Sequence, residues 1–273
     1  MTLAAIMVCV DSDEGTEDRI CVAAEIAGRF NSLLIGVAGW PLRKNEELAQ
    51  PAGDSPNEAG RLDKISKRLQ HLGEEFRRCA GTNSGGVEWR SSVHFPSEFI
   101  VAEARAADLV VIGREALPGD VYQTFDPGTV IVAAGRPVLV VPRGIRHFQP
   151  SQVLIAWKDT REARRAVRDA LPFLKEAKSV SIAVVRPEGA ENVGRQVADV
   201  AQYLARHKVS VGQRIETVAS GEEGHILLRL AKEHAADLIV AGAYGRTRLS
   251  EWIFGGVTRH LLMTSAVPCL FSS

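Results

Sequence analysis

The chain carries no net charge: 33 Lys and Arg balance 33 Asp and Glu over 273 residues. No global field draws it to nucleic acid or to an anionic membrane, and neither is expected as a partner. It also lacks any apolar run near the roughly 18 residues that a membrane span needs. Its opening residues, Met1-Thr-Leu-Ala-Ala-Ile, put no basic segment before the first strand-like run. A secretory leader is therefore not expected, and a cytoplasmic protein is. Cysteine is scarce. Cys9, Cys21, Cys79 and Cys269 form no C-x-x-C pair and have no histidine spacing suited to zinc. They are expected reduced, and no metal is expected. There is no H-E-x-x-H, no Walker loop, no G-x-G-x-x-G after the first strand and no G-x-S-x-G elbow. No nucleophile stands beside a base, so no catalytic residue is assigned.

What the chain does have is a repetition. Ala106-Ala-Asp-Leu-Val-Val-Ile-Gly113 returns as Ala235-Ala-Asp-Leu-Ile-Val-Ala-Gly242. Arg136-Pro-Val-Leu-Val-Val-Pro142 is echoed by Ala266-Val-Pro-Cys-Leu-Phe271, and Ile6-Met-Val-Cys-Val-Asp11 by Val153-Leu-Ile-Ala-Trp-Lys158. Three matches in one order mean a duplicated unit. Asp11 lies 97 residues before Asp108, and Lys158 lies 79 before Asp237, so the first copy carries about 18 more. Pro41 to Gly60, rich in Pro, Gly, Asn and Glu, is where an exposed and mobile insertion would sit.

Within each copy, strand-like and helix-like periods alternate. In the second, Val153–Trp157 is a buried strand, and Asp159 or Thr160 offers an N-cap. Ala163, Ala166, Val167, Ala170, Leu171 and Leu174 then form one helical stripe. Ser179–Val185 and Val209–Val218 read as strands around a helix marked by Val193, Val197 and Leu204. Strands separated by helices imply parallel pairing with right-handed crossovers. The expected fold is α/β, as two tandem five-stranded, parallel, doubly wound domains. They would cover residues 1–146 and 150–273, with the boundary in Pro142–Gln152. The apolar last strands, Pro137–Pro142 and Val267–Phe271, are exposed edges that should pair, making an intramolecular pseudo-dimer. A homodimer of whole chains is compatible with this.

Ligands of such sheets sit beyond the carboxyl ends of the strands. There the second copy reads Gly242-Ala-Tyr-Gly245, nine residues, then Gly255-Gly256-Val257-Thr258 opening a helix. Backbone N–H groups at that helix start favour a phosphate, though a G-x-x-G pair is equally a tight turn. Arg246 and Arg248 could reach the same anion, or be solvated loop residues. Trp157 could stack on a ring or pack in the core. Glu162 and Arg165 read as a charged helical face. His225, opening a helix beneath the cleft, stands out among seven scattered histidines.

At these residues the chain resembles the universal stress protein family in its tandem form. The likeness rests on the spacing of Gly242, Gly245 and Gly255, the first-strand patterns, the Ala-Ala-Asp-Leu run and the Pro-Val-Leu-Val-Val last strand. It implies a Rossmann-like fold of the adenine nucleotide alpha hydrolase-like kind and, in one branch of the family, ATP or a related adenine nucleotide. The implied nucleotide site is Ala156, Trp157, Lys158, Val185, Gly242, Gly245, Arg246, Gly255, Gly256, Val257 and Thr258. The first copy supplies a degenerate site at Val10, Asp11, Gly113, Gly128 and Thr129. Each copy departs from the family pattern. In the second, Gly256 stands where a hydroxyl is usual and Lys158 where an acid is, and a lysine would not recruit magnesium. In the first, Ala116 replaces the second glycine, and Glu115, Asp120 and Asp126 crowd negative charge onto the phosphate position. Two functions are implied: a stress-response regulator or sensor binding ATP in its second domain, with slow hydrolysis left open, or a nucleotide-free platform for an unknown protein partner.

Overall fold

The computed structural model describes residues 3–42, 58–114, 125–186, 193–217, 222–243 and 256–273. The body of the insertion (43–57) lies outside these residues, as do Glu115, Ala116, Asp120, Gly245, Arg246, Arg248 and Gly255. The expectation of a mobile insertion falls there too.

The first copy runs β1 (Ala5–Cys9), α1 (Thr16–Phe30), β2 (Leu33–Gly39), α2 (Glu58–Ala80), β3 (Val87–Ser92), α3 (Pro96–Glu103), β4 (Leu109–Gly113), α4 (Pro127–Ala133) and β5 (Val138–Val141). The second runs β6 (Gln152–Ala156), α5 (Arg161–Asp169), α6 (Leu171–Leu174), β7 (Ser179–Arg186), α7 (Val193–Arg206), β8 (Val211–Thr217), α8 (Glu223–Glu233), β9 (Leu238–Gly242), α9 (Gly256–Thr264) and β10 (Cys269–Ser272).

All ten strands join one sheet, in the order β3-β2-β1-β4-β5-β10-β9-β6-β7-β8. Every neighbouring pair is parallel except β5 and β10, which run antiparallel with Leu139 opposite Leu270. The last strands of the two copies thus pair, as their apolar edges require. Both leucines are fully buried, and burying such a side chain is worth about 1.5–3 kcal/mol. The residues of α1, α2, α5, α6 and α7 cover one face of the sheet, and those of α3, α4, α8 and α9 the other. Strands covered on both faces must be apolar throughout, which is why β1, β4, β5 and β9 carry no polar or charged side chain.

The repeated Ala-Ala-Asp-Leu has a local reason. Asp108 accepts hydrogen bonds from the N–H groups of Ala4 (2.7 Å) and Ala5 (3.1 Å) at the start of β1. Asp237 does the same for Ser151 (2.8 Å) and Gln152 (2.9 Å) at the start of β6. One carboxylate in each copy therefore satisfies backbone donors where the neighbouring strand begins.

Three details differ from the sequence reading. The α2 helix begins at Glu58, so the end of the supposed insertion is its first turn. The stripe from Ala163 to Leu174 is split at Ala170. Pro172 has no N–H to donate to the preceding turn, so α6 restarts the helix. The aperiodic boundary is an ordered strap. Gly144 donates to Asp18 (2.8 Å) and Phe148 to Glu25 (2.7 Å), both on α1. The buried ring of Phe148 meets Phe173 edge-on at 5.5 Å, and Phe30 meets the same ring at 5.9 Å. An aromatic trio thereby joins the two copies.

Candidate functional site

The carboxyl ends of β6, β7 and β9 lie side by side, because Ala156 is in register with Ala183 on one flank and Ala241 on the other. That register gathers Ala156, Trp157, Lys158, Val185 and Gly242 at one edge, with Gly256, Val257 and Thr258 in the first turn of α9. Lys158 is exposed and Thr258 buried. Among the described residues, nothing outside its own turn comes within 4 Å of where a Cβ on Gly256 would stand. Gly242 is different. A Cβ there would lie 2.4 Å from the Ala163 nitrogen, so the bare backbone of β9 makes room for the start of α5. The N-cap of α5 is Thr160, whose hydroxyl accepts from the Ala163 N–H at 3.3 Å.

Glu162 is not part of an exposed charged face. It is buried beside Gly242 and pairs with Arg161 rather than Arg165, which instead donates to the Ser273 carbonyl at 2.6 Å. Burial works against the Glu162 charge. Hydrogen bonds from Arg161, the Glu162 backbone and Thr160 nonetheless hold the carboxyl below the usual range. Trp157 donates its backbone N–H to Ala183 (2.8 Å), while its indole lies in the core of the α5–α7 face. Trp157 is therefore a core residue by its side chain.

The matching edge of the first copy holds Val10, Asp11 and Gly113, and it is filled from within. Arg19 of α1 is fully buried. It donates to the Cys9 carbonyl (2.8 Å), Asp13 (3.1 Å) and Thr16 (2.6 Å), and pairs with Asp11. Burial opposes its charge, and the carboxylates of Asp11 and Asp13 reverse that effect, holding the guanidinium above its ordinary range. A Cβ on Gly113 would stand 2.6 Å from that guanidinium, so the glycine expected beside a ligand is packed under Arg19. Arg143 of the strap also pairs with Asp13. At the start of α4, Asp126 is the N-cap and accepts from both the Thr129 N–H (2.7 Å) and its hydroxyl (2.6 Å). Gly128 is buried in that turn. The group that would otherwise meet a phosphate is thus spent on the protein's own carboxylate.

Arg19 was not singled out from the sequence. Its signal is there: it stands with Thr16, Ala23 and Ile26 on the buried stripe of α1, where an arginine needs acidic partners. His225 stacks on His260 of α9 with ring centres 4.0 Å apart. Gly224 makes room, since a Cβ there would lie 2.7 Å from the His260 side chain. Burial, then the charge of His225, hold His260 below its ordinary pKa. The four cysteines are free thiols. Burial raises the pKa of Cys9 and pushes that of Cys269 up to about 12, so both are inert. Among the described residues no group of three or more His, Cys, Asp or Glu could hold a metal, and no helix is long and apolar enough to cross a membrane.

Residues 150–272 match the universal stress protein family. No curated protein matches the chain. A universal stress protein from Archaeoglobus fulgidus DSM 4304 superposes with a TM-score of 0.67 at 16% identity, covering 98% of this chain and 96% of that one. A functionally unknown protein from Pseudomonas aeruginosa PAO1 gives 0.56 at 18% identity, covering 99% and 92%. At such identities the likeness is one of fold.

Proposed function

We propose, for a chain that belongs to the universal stress protein family, that it is a cytoplasmic stress-response sensor binding one adenine nucleotide in its second copy. The observation that carries this reading is the contrast between two helix starts. The first turn of α4 is capped by Asp126, whereas α9 opens on Gly256-Val257-Thr258, and among the described residues nothing outside that turn comes within 4 Å of where a Gly256 Cβ would stand. The backbone N–H groups of a helix start and the positive end of its dipole suit a phosphate. Lys158 adds a cation at the same edge, and the first copy already holds Arg19 where a ligand would lie. In this reading residues 1–146 and 150–273 are the two domains, and phosphates meet Gly242–Gly245 and Gly255–Thr258. ATP is the expected ligand, with no metal held by Lys158.

One observation favours the second reading, a nucleotide-free platform for a protein partner. Glu162 buries a carboxylate in the first turn of α5, the turn whose backbone packs on Gly242, and a carboxylate repels phosphate. Titration calorimetry separates the two. ATP should give saturable heat with the native chain. Gly256→Asp, which copies the first copy's acidic helix start, should weaken it at least tenfold, about 1.4 kcal/mol. Asp126→Ser should leave it unchanged. No heat with millimolar ATP, and no adenine nucleotide in mass spectra of the gently denatured, freshly purified protein, would hand the function to the platform reading.

A further inference from the structure

The two copies differ in a second place, on the face covered by α1 and α2 in one and α5 and α7 in the other. In the first copy α1 packs directly on α2. Arg68 of α2 lies over the Trp40 ring, 4.0 Å from its centre, and donates to Ser12 in the loop after β1. Phe76 and Trp89 stack beneath, with ring centres 5.6 Å apart. The crevice between those helices is closed by protein. The α2 helix has 23 residues and α7 has 14, and among the described residues the second copy shows no matching seal. Between α5 and α7 a groove of about 480 Å³ remains, walled by Trp157, Val167, Val200 and Tyr203. Its volume is in the range of small-molecule sites, which combine apolar walls with a few placed polar groups.

We infer that this groove binds a small aromatic carboxylate. Two aromatic side chains and two valines suit a flat apolar body, for which ring-on-ring contact adds to area burial. The cations are on one rim, Arg164 and Arg168, one turn apart on α5. Arg164 is held by Asp159 at 2.6 Å, so Arg168 is the guanidinium that meets the incoming carboxylate. Asp199 stands on the α7 rim. It disfavours a dianion such as a phosphate ester, and a single carboxylate directed to α5 avoids it.

The wall also has an unmet demand. Trp157 is only 6% exposed, and its indole N–H has no hydrogen-bond partner. A buried donor without an acceptor is costly. The oxygen of a bound carboxylate supplies that acceptor once the indole turns toward the groove. Trp157 is shared with the implied nucleotide edge, but the other apolar walls belong to α5 and α7 and not to the start of α9, so a shift that Val200→Glu abolishes is read separately from nucleotide binding.

The test is a titration with 3-phenylpropanoate, followed by the tryptophan indole N–H signals in proton–nitrogen correlation spectra. The signal absent from Trp157→Phe should move downfield and saturate at submillimolar ligand. The uncharged 3-phenylpropanamide should bind roughly fivefold or more weakly, and Arg168→Gln should bring the acid down to the amide. Val200→Glu, at a half-buried position, should abolish the shift while the other indole signals stay in place as a check on folding. A Trp157 signal that does not move up to the solubility limit of the acid overturns the site. So does a shift that Val200→Glu leaves intact, and equal binding of amide and acid overturns the carboxylate class.

Discussion

The same strand end is built twice in this molecule, and among the described residues the first copy fills it with its own arginine. After β1, Asp11 and Asp13 hold a buried Arg19 against Gly113. After β6, Lys158 is exposed, and the glycine of β9 is met by the backbone of α5. A cleft that binds an anion needs cations and free N–H groups facing outward. The first copy has turned both inward, its cation onto its own aspartates and its α4 N–H onto Asp126. Duplication permits this, since one copy can turn a strand end into a stabilising ion network without requiring the same of the other.

The comparison can be broken most decisively at Arg19. Arg19→Met leaves Asp11 and Asp13 without their buried cation and should cost about 3–5 kcal/mol in urea unfolding. Lys158→Met, exposed at the corresponding place, should change stability by less than about 0.5 kcal/mol. Equal effects would mean that the two edges are held alike. A smaller and symmetrical effect is expected at the repeated aspartates. Asp108→Ala and Asp237→Ala should each cost about 1.5–3 kcal/mol, because each removes a charged acceptor from two backbone donors. A large loss at one with none at the other would deny them their shared role. The cap comes next. Asp126→Ala should cost about 1 kcal/mol, the usual worth of an N-cap. If it also created a second, weak ATP site by calorimetry, the first copy would differ from the second by that carboxylate alone.

The smallest effect is one of pH, and only the second copy should show it. His260 has its folded pKa lowered by burial and then by His225, so the unfolded chain binds more protons than the folded one as the pH falls below the ordinary histidine value. Stability is therefore full above that value and declines as the pH falls toward the lowered folded pKa. His260→Gln should flatten this part of the stability profile between pH 7.5 and 5, estimated limits that span the ordinary histidine pKa of about 6.5. An unchanged slope would mean that another group carries the acid sensitivity.

Much of the fold was legible in the order of residues. The three repeated phrases revealed the duplication, and the alternating periods revealed ten strands and their crossovers. The apolar last strands pointed to the pairing of β5 with β10, while its antiparallel direction came from the structure. These features are local or repeated, so a linear reading captures them. Apolar periodicity also records which face each helix buries. The candidate site was legible only as a set of positions. That Gly242 serves α5, that Gly113 lies under Arg19, that Glu162 turns inward and that the strap carries Phe148 onto Phe173 depend on residues far apart in the chain. A glycine or a charged residue looks the same in sequence whether its neighbour is a ligand, water or another helix. The sequence by itself determined two copies of one α/β unit and the edge at which they join. Tertiary structure decided that the first copy's edge is filled by Arg19, because the energy of a buried charge depends on the partner that packing brings within hydrogen-bond distance.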